Sequence, residues 1–221
     1  DWKMGGGLMA GGKLTAFFRS QYDDPGIEKL PRPFGCVATD LASGREVWLR
    51  EGSVIDAVRA SIALPGLFTP ALQEGRLLVD GGLVNPVPVS LCRAMGADIV
   101  IAVDLNWELV ARRRRPVNDV QAAAALAQSG MMEALLARFR PAGGPQVPHN
   151  MPSLLGVMSA SLNIMQVRIT QSRLAGEPAD AMIRPRLPDM AAMDFHRGAV
   201  AIEAGERATE LALPLIRGLL E

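Results

Sequence analysis

Apolar positions along this chain follow two rhythms, short runs bounded by turns and longer stretches with helical spacing. FGCVATDL (34–41) is an apolar run with β-branched residues. SGREVWLREG follows it after a Ser-Gly turn, so the two read as a hairpin or as adjacent strands. RLLVDGG reads as a strand that runs into a double glycine. DIVIAVDL (98–105) is continuously apolar, the pattern of a strand buried on both faces of a parallel sheet. DAMIRP (180–185) predicts one further short strand.

Between these runs the spacing becomes helical. A short helix is expected over 13–19, followed by a turn at QYDDPG. Ser53 stands as the N-cap of SVIDAVRASIAL, with Asp56 at the third helical position completing a capping box, and Pro65-Gly66 ends that helix. NPVPVSLCRAMG (85–96) reads as a second helix, with prolines in its first turn and Gly96 as its stop. The second half predicts helices over 119–140, 153–175 and 194–220, with RPAGGPQVPHNMP as a flexible loop. No internal repeat is present. A strand–helix–strand order implies an α/β layer architecture.

Composition narrows the classes. The 221 residues are 49% hydrophobic and 21% charged, a globular balance with enough chain for one sizeable core. Lysine plus arginine and aspartate plus glutamate are 23 each, so no net field recruits nucleic acid. Cys36 and Cys92 lie in apolar stretches and read as buried thiols. His149 and His196 are the only histidines, and no Cys/His group has metal-ligand spacing. No apolar run approaches the roughly 20 residues that span a bilayer. The opening DWKMGGGLMAGG is neither a secretory signal nor an element onset. It suggests a start inside something larger, with the cytoplasm as the default location.

The candidate chemistry centres on LLVDGGLVNPVP. Asp80 ends a strand, at the sheet edge where open α/β sheets gather their functional groups. Gly81 and Gly82 remove side chains beside it and permit backbone angles that other residues resist. A serine hydroxyl is a weak nucleophile until a positioned base takes its proton, and a carboxylate in hydrogen-bond reach serves. On the tripeptide alone, a simple turn cap by the Asp80 carboxylate is the plainer reading.

The wider block changes that weighting. SVIDAVRASIALPGLFTPALQEGRLLVDGGLVNPVPVSLCRAMGADIVIAVDLN resembles the patatin-like phospholipase family, specifically its small bacterial members. VATDLASGREVWLREG upstream and DFHRGAVAIEAGERA downstream resemble it as well. The likeness is close over 34–107 and looser elsewhere. It implies a three-layer α/β/α fold with a central, mostly parallel sheet, incomplete at the N-terminus. The whole of 1–221 is then a single domain, roughly the C-terminal two-thirds of that fold. It also implies hydrolysis of lipid acyl esters by a Ser–Asp dyad with no metal or organic cofactor. Asp80 maps onto the base, with Gly81 and Gly82 as its motif neighbours. The partner is a lipid or small ester substrate, with no nucleic acid and no oligomeric state assigned.

One departure bears on activity. None of the serines of this chain lies in the G-x-S-x-G elbow that the resemblance requires, and GGGLMAGG lacks the strand that would precede an oxyanion loop. The expectation is that nucleophile and oxyanion loop lie upstream of Asp1, leaving the 221 residues alone inactive. A non-catalytic regulatory or interaction module on the same fold is the alternative.

Other residues weigh less. Asp40, Asp56, Asp98 and Asp104 read as turn or cap residues, Asp104 being the best alternative acid at a strand end. Asp194 reads as the cap of the last helix, and His196 as structural. The four-arginine run Arg112, Arg113, Arg114 and Arg115 reads as a solvated loop. Its functional alternative is peripheral contact with an anionic lipid headgroup. SLLGVMSASLNIMQVRI, with Met158 and Met165, reads as a core helix, with an acyl-chain contact as the alternative.

Overall fold

The computed structural model describes residues 7–9, 11–107, 154–187, 190 and 194–221. The elements run β1 (Gly7–Met9), α1 (Gly12–Gln21), β2 (Cys36–Asp40), β3 (Glu46–Leu49), α2 (Val54–Ser61), β4 (Gly66–Phe68), β5 (Ala71–Gln73) and β6 (Arg76–Asp80). They continue with α3 (Val89–Ala94), β7 (Ile101–Val103), α4 (Leu154–Gly176), β8 (Ala181–Ile183) and α5 (Gly198–Leu220). The expected helix over 119–140, the loop after it, His149 and Arg112 to Arg115 lie outside the described residues. Backbone contacts group the chain into two compact units. One is Asp1–Ala102 with Arg168–Met182 and Leu219–Glu221, and the other is Val103–Val167 with Ile183–Gly218.

In the first unit the main sheet has four strands in the order β3-β2-β6-β5. All of its pairings are antiparallel. The expected mostly parallel sheet is therefore not what these strands form. The connections explain the β2–β3 and β5–β6 pairings, because strands joined by a tight turn can only pair antiparallel. Asp40 closes the β2–β3 turn, its Oδ1 accepting from the N–H groups of Ala42 at 2.9 Å and Ser43 at 3.0 Å. Between β5 and β6 only Glu74 and Gly75 intervene, at φ 49° and 76°. Positive φ at both central residues is the geometry whose twist suits a two-residue hairpin. β1 pairs parallel with β4, and β7 joins β8 in a third sheet.

The core of the main sheet is built from small residues. Ala38 of β2, Ala60 of α2 and Leu78 of β6 are buried together, with Val47, Leu49 and Ala71 packed around them. Alanine on the inner face of α2 lets the helix approach the strands closely. Ser53 caps α2 as expected, its Oγ accepting from the Asp56 N–H at 3.0 Å. Arg59, on the buried side of α2, donates to the Thr69 carbonyl at 2.8 Å and lies 5.1 Å from the centre of the Phe68 ring. A second apolar cluster joins Val87, Val89, Val100 and Ala102 to Leu174 and Met182.

Several boundaries differ from expectation, among them α2, which ends at Ser61 and not at Pro65-Gly66. α3 begins at Val89, not at Asn85, because Pro86 and Pro88 interrupt the turn, and Pro88 itself sits at ψ 64°. Gly96 ends it as expected, at φ 90°. β7 holds only three residues of the eight-residue apolar run. Ala102 is buried, whereas Ile101 and Val103 are 42% and 50% exposed, so β7 is not covered on both faces among the described residues. The last helix is preceded by a 3-10 turn over Phe195–Arg197, which Asp194 adjoins through an ion pair to Arg197 at 3.5 Å.

Candidate active site

Asp80 is the last residue of β6, and each of its polar groups is engaged from a different direction. Its N–H donates to the Ala63 carbonyl at 3.0 Å, in the segment that follows α2. Its own carbonyl accepts from the Thr39 hydroxyl of β2 at 2.8 Å. Its carboxylate Oδ1 accepts from the Gly82 N–H at 2.6 Å, capping the 3-10 turn Gly81–Leu83. The turn-cap reading of Asp80 is thus present in the structure. It occupies one carboxylate oxygen and leaves the other without a hydrogen-bond partner among the described residues.

Gly81 is needed for space and not for backbone angle. A Cβ there would lie 2.2 Å from the Val37 carbonyl oxygen of β2. Neither Gly81 nor Gly82 has a positive φ, so the expected angular role is not used, and at Gly81 close approach takes its place.

The electrostatics follow from this packing. Burial raises the Asp80 carboxyl above its ordinary value, and the Gly82 N–H opposes that only in part. No cation pairs with Asp80 among the described residues. A carboxylate that is poorly solvated and has no ion-pair partner holds a proton more readily than an exposed one, the direction a general base requires.

The other aspartates are occupied differently. Asp40 closes the β2–β3 turn. Asp56 pairs with Arg19 at 2.8 Å. Asp98 contributes its backbone carbonyl to Arg93. Asp104, in the second unit, is buried and accepts from the Asn106 N–H at 3.0 Å, the geometry of a turn residue. His196 is exposed. Among the described residues no group of three or more His, Cys, Asp or Glu side chains could hold a metal ion.

Several engaged residues carried no signal in the sequence. Thr39 through its hydroxyl and Ala63 through its carbonyl reach Asp80 by contacts that no spacing rule anticipates. Glu46 accepts from Trp48 Nε1 at 2.7 Å, Asn85 Nδ2 at 2.8 Å and Arg173 Nη2 at 2.7 Å. Burial alone would raise Glu46, but these donors outweigh it and hold its carboxyl below the usual range. The cysteines also divide. Burial pushes the Cys36 thiol up to about 11, whereas Cys92 is exposed, against the expectation that both are buried.

Comparison with known proteins places this geometry. The family model described as patatin-like phospholipase matches residues 1–93. An uncharacterized NTE family protein of Mycobacterium tuberculosis is 31% identical over 251 aligned residues, covering 94% of this chain and 70% of the relative. The chain belongs to the patatin-like phospholipase family. A second uncharacterized NTE family protein of Mycobacterium tuberculosis is 31% identical over 206 residues, 93% of this chain and 33% of the relative. Patatin-like phospholipase domain-containing protein 7 of Mus musculus is 33% identical over 101 residues, 45% of this chain and 8% of the relative. The family implies an α/β fold and lipid acyl hydrolase chemistry. The interval matched to the patatin-like model contains Thr39, Asp80, Gly81 and Gly82. No helix among the described residues of this patatin-like chain is long and apolar enough to cross a membrane.

Proposed function

We propose that this patatin-like chain carries the base of a Ser–Asp dyad that hydrolyses acyl esters of lipids, with Asp80 as the base. The observation that carries the reading is the half-buried Asp80 carboxylate at the end of β6, held by Gly82 through one oxygen and paired with no cation among the described residues. The nucleophilic serine belongs to a G-x-S-x-G segment outside these 221 residues, since none of their serines stands in that motif. Its hydroxyl attacks the acyl carbonyl as Asp80 takes the proton, and the alcohol leaves with a proton returned from Asp80. Water, deprotonated in turn by Asp80, then resolves the acyl-enzyme. Nothing in this cycle calls for a metal or organic cofactor.

The three-layer α/β/α arrangement as one domain belongs to the same reading, supported by family membership. So do a cytoplasmic setting and a peripheral contact with membrane lipid. The substrate is a phospholipid, a lysophospholipid or a simpler ester.

The test uses the complete gene product, a fluorophosphonate and intact mass. One adduct on the native protein and none on Asp80→Asn is the expected outcome. Adduct formation and ester hydrolysis that both survive Asp80→Asn would remove Asp80 from the role of base. A complete gene product that contains no reactive serine would instead favour a regulatory or interaction module on this fold.

A further inference from the structure

The hydroxyl of Thr39 has a single visible task. Thr39 lies inside β2, is 5% exposed, and stands in register with Val79, the residue before Asp80. Val37 and Val79, which share its face of the sheet, are buried and apolar. A buried hydroxyl in such a place is unfavourable unless it is hydrogen-bonded, and valine has nearly the same shape without that demand. Among the described residues this hydroxyl makes one hydrogen bond, which it donates to the Asp80 carbonyl at 2.8 Å.

That carbonyl belongs to the peptide plane joining Asp80 to Gly81. Rotating the plane turns ψ of Asp80 and φ of Gly81 together. The Gly82 N–H lies one plane further on, so a change in ψ of Asp80 that is not compensated at Gly81 carries it away from the carboxylate. The plane has little room otherwise, because the Val37 carbonyl of the same strand packs directly over Gly81. On the other side, the Asp80 N–H is tied to the Ala63 carbonyl at 3.0 Å. Among the described residues the Thr39 hydroxyl is thus the one side-chain group that holds the peptide plane next to the Asp80–Gly82 hydrogen bond.

We propose that Thr39 is a positioning residue for the Asp80 carboxylate. Its hydroxyl fixes the Asp80–Gly81 peptide plane, so that one carboxylate oxygen stays on Gly82 and the other is presented for proton transfer. The catalytic consequence rests on the reading of Asp80 as the base, while the geometric part stands without it.

The experiment compares Thr39→Val and Thr39→Ser in the complete gene product, with two readouts. The first is the hydrogen-exchange rate of the Gly82 amide by NMR. The second is kcat and KM for ester hydrolysis, measured well below the unfolding temperature. Thr39→Val is expected to speed Gly82 exchange and to lower kcat by roughly ten- to a hundredfold at unchanged KM, the scale of a small misplacement at a reacting group. Thr39→Ser, which keeps the hydroxyl, is expected to restore both. Equal losses in the two variants would assign the effect to packing of the β-branched side chain and overturn the proposal. Faster Gly82 exchange with native kcat would overturn the positioning role. Should Thr39→Val fail to fold, Thr39→Ala replaces it with the same expected outcomes. If hydrolysis survives Asp80→Asn, the base assignment fails separately, and Gly82 exchange still decides whether Thr39 sets the carboxylate.

Discussion

A carboxyl group taken out of water resists ionisation unless a cation or several donors replace its hydration. Asp80 has one donor and no cation among the described residues, so the folded protein binds its proton more tightly than the unfolded chain does. Ionisation of Asp80 therefore subtracts from stability. The contribution of the protonated form is fully present below the ordinary aspartate value of 3.8 and is lost as pH rises through the raised folded value. Asp80→Asn keeps an oxygen for the Gly82 N–H and removes the charge. It is expected to raise Tm at neutral pH, with the advantage shrinking as pH falls toward 3.8. An advantage that stays constant with pH would show that burial of the charge is not what distinguishes the two side chains. Such a gain in stability with loss of activity is what a group held for chemistry produces.

At the scale of elements, the turn ahead of α2 ties three segments together. Ser53 Oγ accepts from the Asp56 N–H at 3.0 Å and donates to Asp24 at 2.7 Å, while Asp24 also receives the Ile55 N–H at 3.2 Å. Arg19 of α1 pairs with both Asp24 and Asp56. The two ion pairs share the exposed Arg19 guanidinium and contribute little, whereas a helix cap is worth about 1 kcal/mol or somewhat more. Ser53→Ala is expected to lower stability by about 1–2 kcal/mol, seen as a lower urea midpoint with unchanged slope. An unmoved midpoint would mean that water or Asp24 satisfies the end of α2 without it. The segment after α2 supplies Ala63, which anchors Asp80, so a loosened cap also reaches the candidate site.

At the scale of the molecule, the base proposed at Asp80 would not by itself make a hydrolase. The reaction needs a nucleophile and donors for the oxyanion, each such donor being worth about 3–4 kcal/mol of barrier. The 221-residue chain, folded by circular dichroism, is expected to hydrolyse p-nitrophenyl esters no faster than buffer. Turnover above buffer would place a nucleophile within the chain and overturn the dyad as drawn.

Much of this protein was legible in the sequence because local chemistry dictated it. Ser53 and Gly96 marked helix ends through groups that act on their own neighbours. The β2–β3 hairpin followed from a Ser-Gly turn between two apolar runs, and the ordered block around Asp80-Gly81-Gly82 carried the family. β1, within the opening read as no element onset, and β4 and β5 were missed, because strands of three residues leave too short a pattern to show a period. The run at DIVIAVDL looked buried on both faces, yet Ile101 and Val103 are half exposed, since hydrophobicity records what a strand tolerates and not what packs on it. The sequence by itself determined the turns, the caps and the placement of a carboxylate at a strand end, all of which depend on residues close along the chain. Only the tertiary structure decided how that carboxylate is held. Thr39 is 41 positions from Asp80, and Gly81 is a glycine because the Val37 carbonyl lies across the sheet from it. Contacts between distant segments depend on strand register and packing distance, which no local pattern encodes.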